Sequence, residues 1–128
     1  MLHIIITSYG EPKSTARAIE SFLSQKLPEN TKIIIADPFP ETEEFLKEKF
    51  RKNKNIEFFL DPGEGKSYAL NVIMEQIYSS SPEAIIILTD GDVYVSENSV
   101  SEILQAFKDK EIGCVTGKPV SIDSRDSK

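Results

Sequence analysis

The sequence predicts an α/β fold built on a doubly wound, mainly parallel sheet. Three observations carry that prediction. β-Branched apolar runs alternate with amphipathic stretches four times along 128 residues. Each run stops at a turn signal, and the amphipathic stretches repeat apolar residues at spacings of three and four. Such alternation calls for right-handed crossovers that place helices on both faces of a parallel sheet.

The first run, Leu2 to Thr7, is isoleucine-rich and ends in Ser8-Tyr9-Gly10, which reads as a strand buried on both faces. Pro12 suits the first turn of a helix whose Ala16, Ile19, Phe22, Leu23 and Leu27 form one stripe, closed by Pro28. A second strand spans Lys32 to Asp37 and leads to a helix from about Glu41 that buries Phe45, Leu46 and Phe50. Ile56 to Leu60 is the third strand. The loop Asp61-Pro62-Gly63-Glu64-Gly65 then opens a helix with Leu70, Ile73, Met74 and Ile77 on its inner face, running to about Tyr78. The fourth strand is Ala84 to Thr89. Its helix carries Val100, Ile103, Leu104 and Phe107, with Ser99 and Glu102 at capping-box spacing or Ser96 as an earlier cap. Ile112 to Thr116 reads as a last short strand, so residues 1–119 form one domain and 120–128 a flexible polar tail.

Composition narrows the function. A formal net charge of -6 disfavours nucleic acid as a general partner. No apolar run approaches the roughly 20 residues needed to cross a bilayer, and there is no signal-peptide h-region. The segment itself is therefore expected to be soluble and cytoplasmic, without membrane contact. With one cysteine, Cys114, and one histidine, His3, neither a disulfide nor a Cys/His zinc cluster can form. Both residues read as buried structural side chains. A metal here would be a hard cation on carboxylates.

Ligands of parallel sheets bind outside the carboxyl ends of the strands, so the residues after each run matter most. Three of the four runs end in aspartate: Asp37, Asp61 and Asp90, the last within Asp90-Gly91-Asp92. The expected strand order is 3-2-1-4, with Asp37, Asp90 and Asp92 facing one crevice. Two carboxylates about 4 Å apart repel by about 4 kcal/mol at an effective dielectric near 20, which a divalent cation reverses. Mg²⁺ or Mn²⁺ bridging to a ligand's phosphates fits, although Asp-Gly is also an ordinary turn sequence. Asp37, held extended by Pro38, has a carboxylate able to accept from a base or ribose, and Tyr9 a ring able to stack on a nucleobase. Gly63-Glu64-Gly65-Lys66-Ser67 lies in the context of a phosphate loop but not at its spacing, because Leu60 stands where the first glycine belongs. Lys66 and the helix amides behind it still offer an anion site.

Taken in order, these segments resemble the family 2 glycosyltransferases of the GT-A fold from Leu2 to about Pro119. Ile4 to Glu11 matches the family's opening strand and turn, and Ile33-Ile34-Ile35-Ala36-Asp37 its second strand ending in aspartate. Gly65-Lys66-Ser67-Tyr68-Ala69-Leu70-Asn71 matches its Gly-Lys-x-x-Ala-Leu-Asn segment, and Asp90-Gly91-Asp92 its Asp-x-Asp motif. The resemblance implies a Rossmann-like half that binds a nucleoside-diphosphate sugar, most often a UDP-sugar. Ser8, Tyr9 and Asp37 would hold the nucleoside with Glu11 close by, and Lys66 would line the pocket near the phosphates. Asp90 would approach the ribose or the cation, and Asp92 would coordinate the cation.

The resemblance also implies an acceptor half, carrying the general base, beyond Lys128. The chain is then a partial product of a longer gene, inactive in transfer by itself and membrane-associated if the parent protein carries membrane helices. Two other readings compete. A sugar nucleotidyltransferase-like domain would place a glycine-rich basic segment after the first strand, where Ser8-Tyr9-Gly10-Glu11-Pro12 stands. A receiver-like signalling module would place an acidic pair there, where only Glu11 is acidic.

Overall fold

A computed structural model describes residues 2–109 and 111. Four strands alternate with four helices: β1 (Leu2–Thr7), α1 (Pro12–Leu23), β2 (Lys32–Asp37), α2 (Pro40–Lys49), β3 (Ile56–Leu60), α3 (Lys66–Ser80), β4 (Ile85–Asp90) and α4 (Ser99–Ala106). The sheet is parallel throughout in the order β3-β2-β1-β4, which is the order expected from the sequence. Register aligns Thr7 with both Ala36 and Asp90, and Asp37 with Leu60. The carboxyl ends therefore finish level along one edge.

β1 is central and all six of its residues are buried. Its alternate side chains feed two cores, as a period of two requires. Leu2, Ile4 and Ile6 pack with Ile33 and Ile35 against Ala16, Ile19 and Phe22 of α1, Leu46 of α2 and Val100 of α4. Ile5, Ile34 and Ala36 face Ile73 and Ile77 of α3. This division follows from handedness: two right-handed crossovers leading outward place α1 and α2 on one face, and the reversal from β3 back past β1 to β4 places α3 on the other. Ligand crevices form where strand order reverses, here beside β1.

Several local expectations are corrected. Phe45 is 39 % exposed, because α2 buries Thr42, Leu46 and then Phe50 at steps of four, leaving Phe45 on the flank of that stripe. α1 ends at Leu23, short of Leu27, where Ser24 Oγ and Gln25 Nε2 donate to the Ser21 carbonyl and occupy the acceptor of the last turn. Leu27 still packs against the core from outside the helix. The expected Ser99 capping box is absent. Asn98 is the N-cap without a side-chain bond, Ser99 Oγ pairs with the Gln25 amide at 3.0 Å, and Gln25 Oε1 accepts from the Val100 amide at 3.0 Å. A residue 75 positions away thus satisfies a helix-end amide that would otherwise lack a partner. β1, β2 and β3 have the bounds expected, and the remaining boundaries move by one or two residues. His3 is buried as expected, with its Nδ1 atom unpartnered. Cys114, the strand expected at 112–116 and the tail 120–128 lie outside the described residues. Among the described residues no helix is long and apolar enough to cross a membrane.

Candidate functional site

A cleft of about 570 Å³ lies at the carboxyl ends of the strands. Its walls come from the loop after β1 (Ser8, Tyr9, Glu11), the turn after β2 (Pro38, Phe39), the start of α3 (Gly65, Lys66) and Asp90-Gly91-Asp92. Of the candidate residues, Ser8, Tyr9, Glu11, Lys66, Asp90 and Asp92 all line it. Asp37 lies behind this wall. It is 4 % exposed, and its carboxylate accepts from Ser8 Oγ (2.6 Å), the Gly10 amide (2.9 Å) and the Phe39 amide (2.7 Å).

At the β4 end, Asp90 Oδ1 accepts from Lys66 Nζ at 2.7 Å and from Thr7 Oγ1 at 2.8 Å. The Lys66 hydrogen bond, followed by that of Thr7, holds the Asp90 carboxyl below the usual aspartate range. Neither Asp90 Oδ2 nor the exposed Asp92 carboxylate has a hydrogen-bond or salt-bridge partner among the described residues. Lys66 opens α3, following Gly65 at φ +102°, so a cation and the free amides of a helix N-terminus face the same space.

The loop carrying these carboxylates is held from three sides. The Gly91 amide donates to the Thr7 carbonyl at 2.7 Å, which continues the β1–β4 ladder past the strand. Ser14 Oγ donates to the Gly91 carbonyl at 2.9 Å and lies 3.1 Å from the Tyr94 hydroxyl. The Arg17 guanidinium stands 4.5 Å from the centre of the Tyr94 ring, a cation–π distance. Gly91 is buried, and a Cβ there would come 2.7 Å from Thr15 Oγ1 and 3.0 Å from Ser8 Cβ. Only glycine lets the β4 loop lie this close to α1.

A divalent cation fits this donor set in part. No group of three or more His, Cys, Asp or Glu able to hold a metal exists among the described residues. Asp90 Oδ2 and Asp92 supply two hard oxygen donors, and Mg²⁺ commonly takes one or two carboxylates and completes its shell with ligand phosphates and water. The arrangement therefore suits a cation that arrives with a diphosphate.

The match to known proteins decides the family. The model for glycosyl transferase family 2 matches residues 3–128. The chain belongs to that family. Solved structures with the same fold include S. aureus TarS, at 18 % identity and a TM-score of 0.67 over 94 % of this chain and 23 % of that one. TarS residues 1–349 in complex with UDP-GlcNAc match with a TM-score of 0.67 and 18 % identity, over 94 % of this chain and 36 % of theirs. The mannosyltransferase PcManGT from Pyrobaculum calidifontis, in complex with GDP-Man and Mn²⁺, matches with a TM-score of 0.71 and 16 % identity, over 91 % and 35 %. No curated protein matches the sequence. The family 2 chain described here spans 23 % to 36 % of the length of these structures.

Sequence reasoning missed Phe39, Ser14, Thr15, Tyr94 and Arg17. Phe39 had a signal, since it stands between Pro38 and Pro40, which fix the turn on either side of it. The contact of Ser14 with Gly91 spans 77 residues, and no local pattern reports it.

Proposed function

We propose that the cleft binds a nucleoside-diphosphate sugar through Mg²⁺ or Mn²⁺, and that the chain is the donor-binding domain, residues 1–119, of an inverting glycosyltransferase. The observation that carries this reading is the convergence of Lys66, Asp90 and Asp92 on one cleft that Tyr9 and Phe39 also line. The cleft thus combines charged groups suited to a diphosphate with aromatic rings suited to a nucleoside. The fold likeness to structures holding UDP-GlcNAc and GDP-Man with Mn²⁺ supports it.

In this reading Asp90 and Asp92 hold the cation, and Lys66 turns from Asp90 to the diphosphate when the donor enters. A bound cation supplies charge to stabilise the departing nucleoside diphosphate. In transfer with inversion, the acceptor hydroxyl oxygen forms a bond to the anomeric carbon as the bond from that carbon to the diphosphate oxygen breaks. The electron pair leaves with the diphosphate, and the acceptor proton passes to a base on a part of the protein outside these 128 residues.

A labelled-donor assay tests the proposal. The 128-residue chain should retain the donor but transfer sugar at least about 100-fold more slowly than a protein extended through the acceptor half, since a positioned base alone contributes 10²–10⁴-fold. Acceptor-dependent transfer at comparable rates would contradict it.

A further inference from the structure

Thr7 and Asp90 are paired across the β1–β4 ladder, the last residue of one strand beside the last of the other. Thr7 grips the start of the carboxylate loop twice. Its carbonyl accepts the Gly91 amide at 2.7 Å, and its Oγ1 donates to Asp90 Oδ1 at 2.8 Å. The other acceptor within reach of that hydroxyl, the Thr89 carbonyl, is 3.5 Å away, so the carboxylate takes the proton by distance and by charge. Thr7 has little freedom of its own, being buried and β-branched, and it lines the cleft.

Asp90 Oδ1 accepts a second bond, from Lys66 Nζ at 2.7 Å. The two bonds differ in permanence. The Lys66 side chain is more than half exposed on a flexible stem, and in the donor-binding reading it leaves Asp90 for the diphosphate. Thr7 then supplies the one remaining hydrogen bond to the Asp90 carboxylate among the described residues. The χ2 angle of an aspartate is broad, so that bond decides how the carboxylate is turned. With Oδ1 engaged, Oδ2 is the oxygen left for a cation.

Resting on the donor-binding reading above, we infer that Thr7 is a positioning residue for the cation, its hydroxyl fixing the Asp90 carboxylate through Oδ1 once Lys66 has moved away. Hydrogen bonds that orient a metal-ligating side chain are commonly worth about 10–100-fold in metal affinity. Here the contribution is conditional. While Lys66 stays on Oδ1 the carboxylate has two holders, and the loss of one is tolerated.

The test is titration of Mn²⁺ into the 128-residue chain, read by calorimetry and by the paramagnetic resonance signal of the free ion. Wild type, Thr7→Val, Lys66→Met and the double variant are compared. Without UDP, Thr7→Val should change Mn²⁺ affinity by less than about threefold when Lys66 is present and lower it by at least about tenfold in the Lys66→Met background. With saturating UDP, which draws Lys66 away, Thr7→Val alone should cost at least about tenfold. Thr7→Ser, which keeps the hydroxyl, should bind Mn²⁺ as wild type does in every arm. Should Thr7→Val not fold, Thr7→Ala carries the same comparison. Equal effects of Thr7→Val with and without Lys66 would make Thr7 a structural residue only and overturn the inference, as would a Thr7→Ser chain as impaired as Thr7→Val. If UDP binds none of the chains, the donor-binding reading falls, and the Lys66→Met arm, which contains no nucleotide, still decides the role of Thr7.

Discussion

Lys66 Nζ lies 2.7 Å from Asp90 Oδ1, joining the first residue of α3 to the last of β4. Both side chains are more than half exposed, and exposed pairs of this kind contribute only about 0.2–1 kcal/mol. The pair is thus cheap to open, and its ammonium is available to an entering anion. Lys66→Met should lower nucleoside-diphosphate affinity about tenfold while changing unfolding free energy by less than about 1 kcal/mol. Calorimetry and urea unfolding check the two halves. A stability loss well above that, with unchanged affinity, would make Lys66 a structural residue only.

Gly91 sits where α1 and the β4 loop nearly touch. Thr15 is fully buried and its Oγ1 donates to the Glu11 carbonyl, so it has little room to yield to a Cβ 2.7 Å away. Gly91→Ala should cost about 1–3 kcal/mol, the range for overpacking a filled interior. Adding Thr15→Ala should recover part of that loss, a coupling that urea unfolding of the two single variants and the double variant measures.

His3 is buried on the α3-facing side of β1, with Nδ1 unpartnered. Burial, and then the nearby Lys32 charge, push its pKa below the ordinary 6.5. The unfolded chain therefore binds a proton before the folded chain does. Stability should be unaffected by His3 above pH 6.5 and fall as pH drops from 6.5 toward the lower folded-state value. The pH dependence of thermal unfolding should flatten over that interval in His3→Leu. An unchanged slope would show that the imidazole gains its proton without cost.

Much of this architecture is legible in the sequence because it rests on short-range patterns. The isoleucine runs at 4–6 and 33–35 mark strands covered on both faces, and handedness converts four strand–helix repeats into the order 3-2-1-4. Asp90-Gly91-Asp92 and Lys66 reach one cleft because the ends of parallel strands share an edge. What the sequence hides is long-range polar bonding. Gln25 looks like an ordinary surface residue but satisfies the start of α4, and Asp37 looks like a free strand-end carboxylate but spends its bonds on the two aromatic loops. Phe45 misled for a simpler reason: Thr42, a polar residue, takes the buried place in the stripe that Leu46 and Phe50 continue.

The central claim is that Asp90 and Asp92 hold a cation weakly by themselves and more tightly together with a donor's diphosphate. Titration of Mn²⁺ into the chain with and without saturating UDP, repeated for Asp92→Asn, tests it most directly. Two carboxylates leave most of a six-oxygen shell unfilled, so the account predicts weak Mn²⁺ binding alone, at least about tenfold tighter binding with UDP present, and loss of that coupling in Asp92→Asn. Equal Mn²⁺ affinity with and without UDP, or coupling that survives Asp92→Asn, would contradict it.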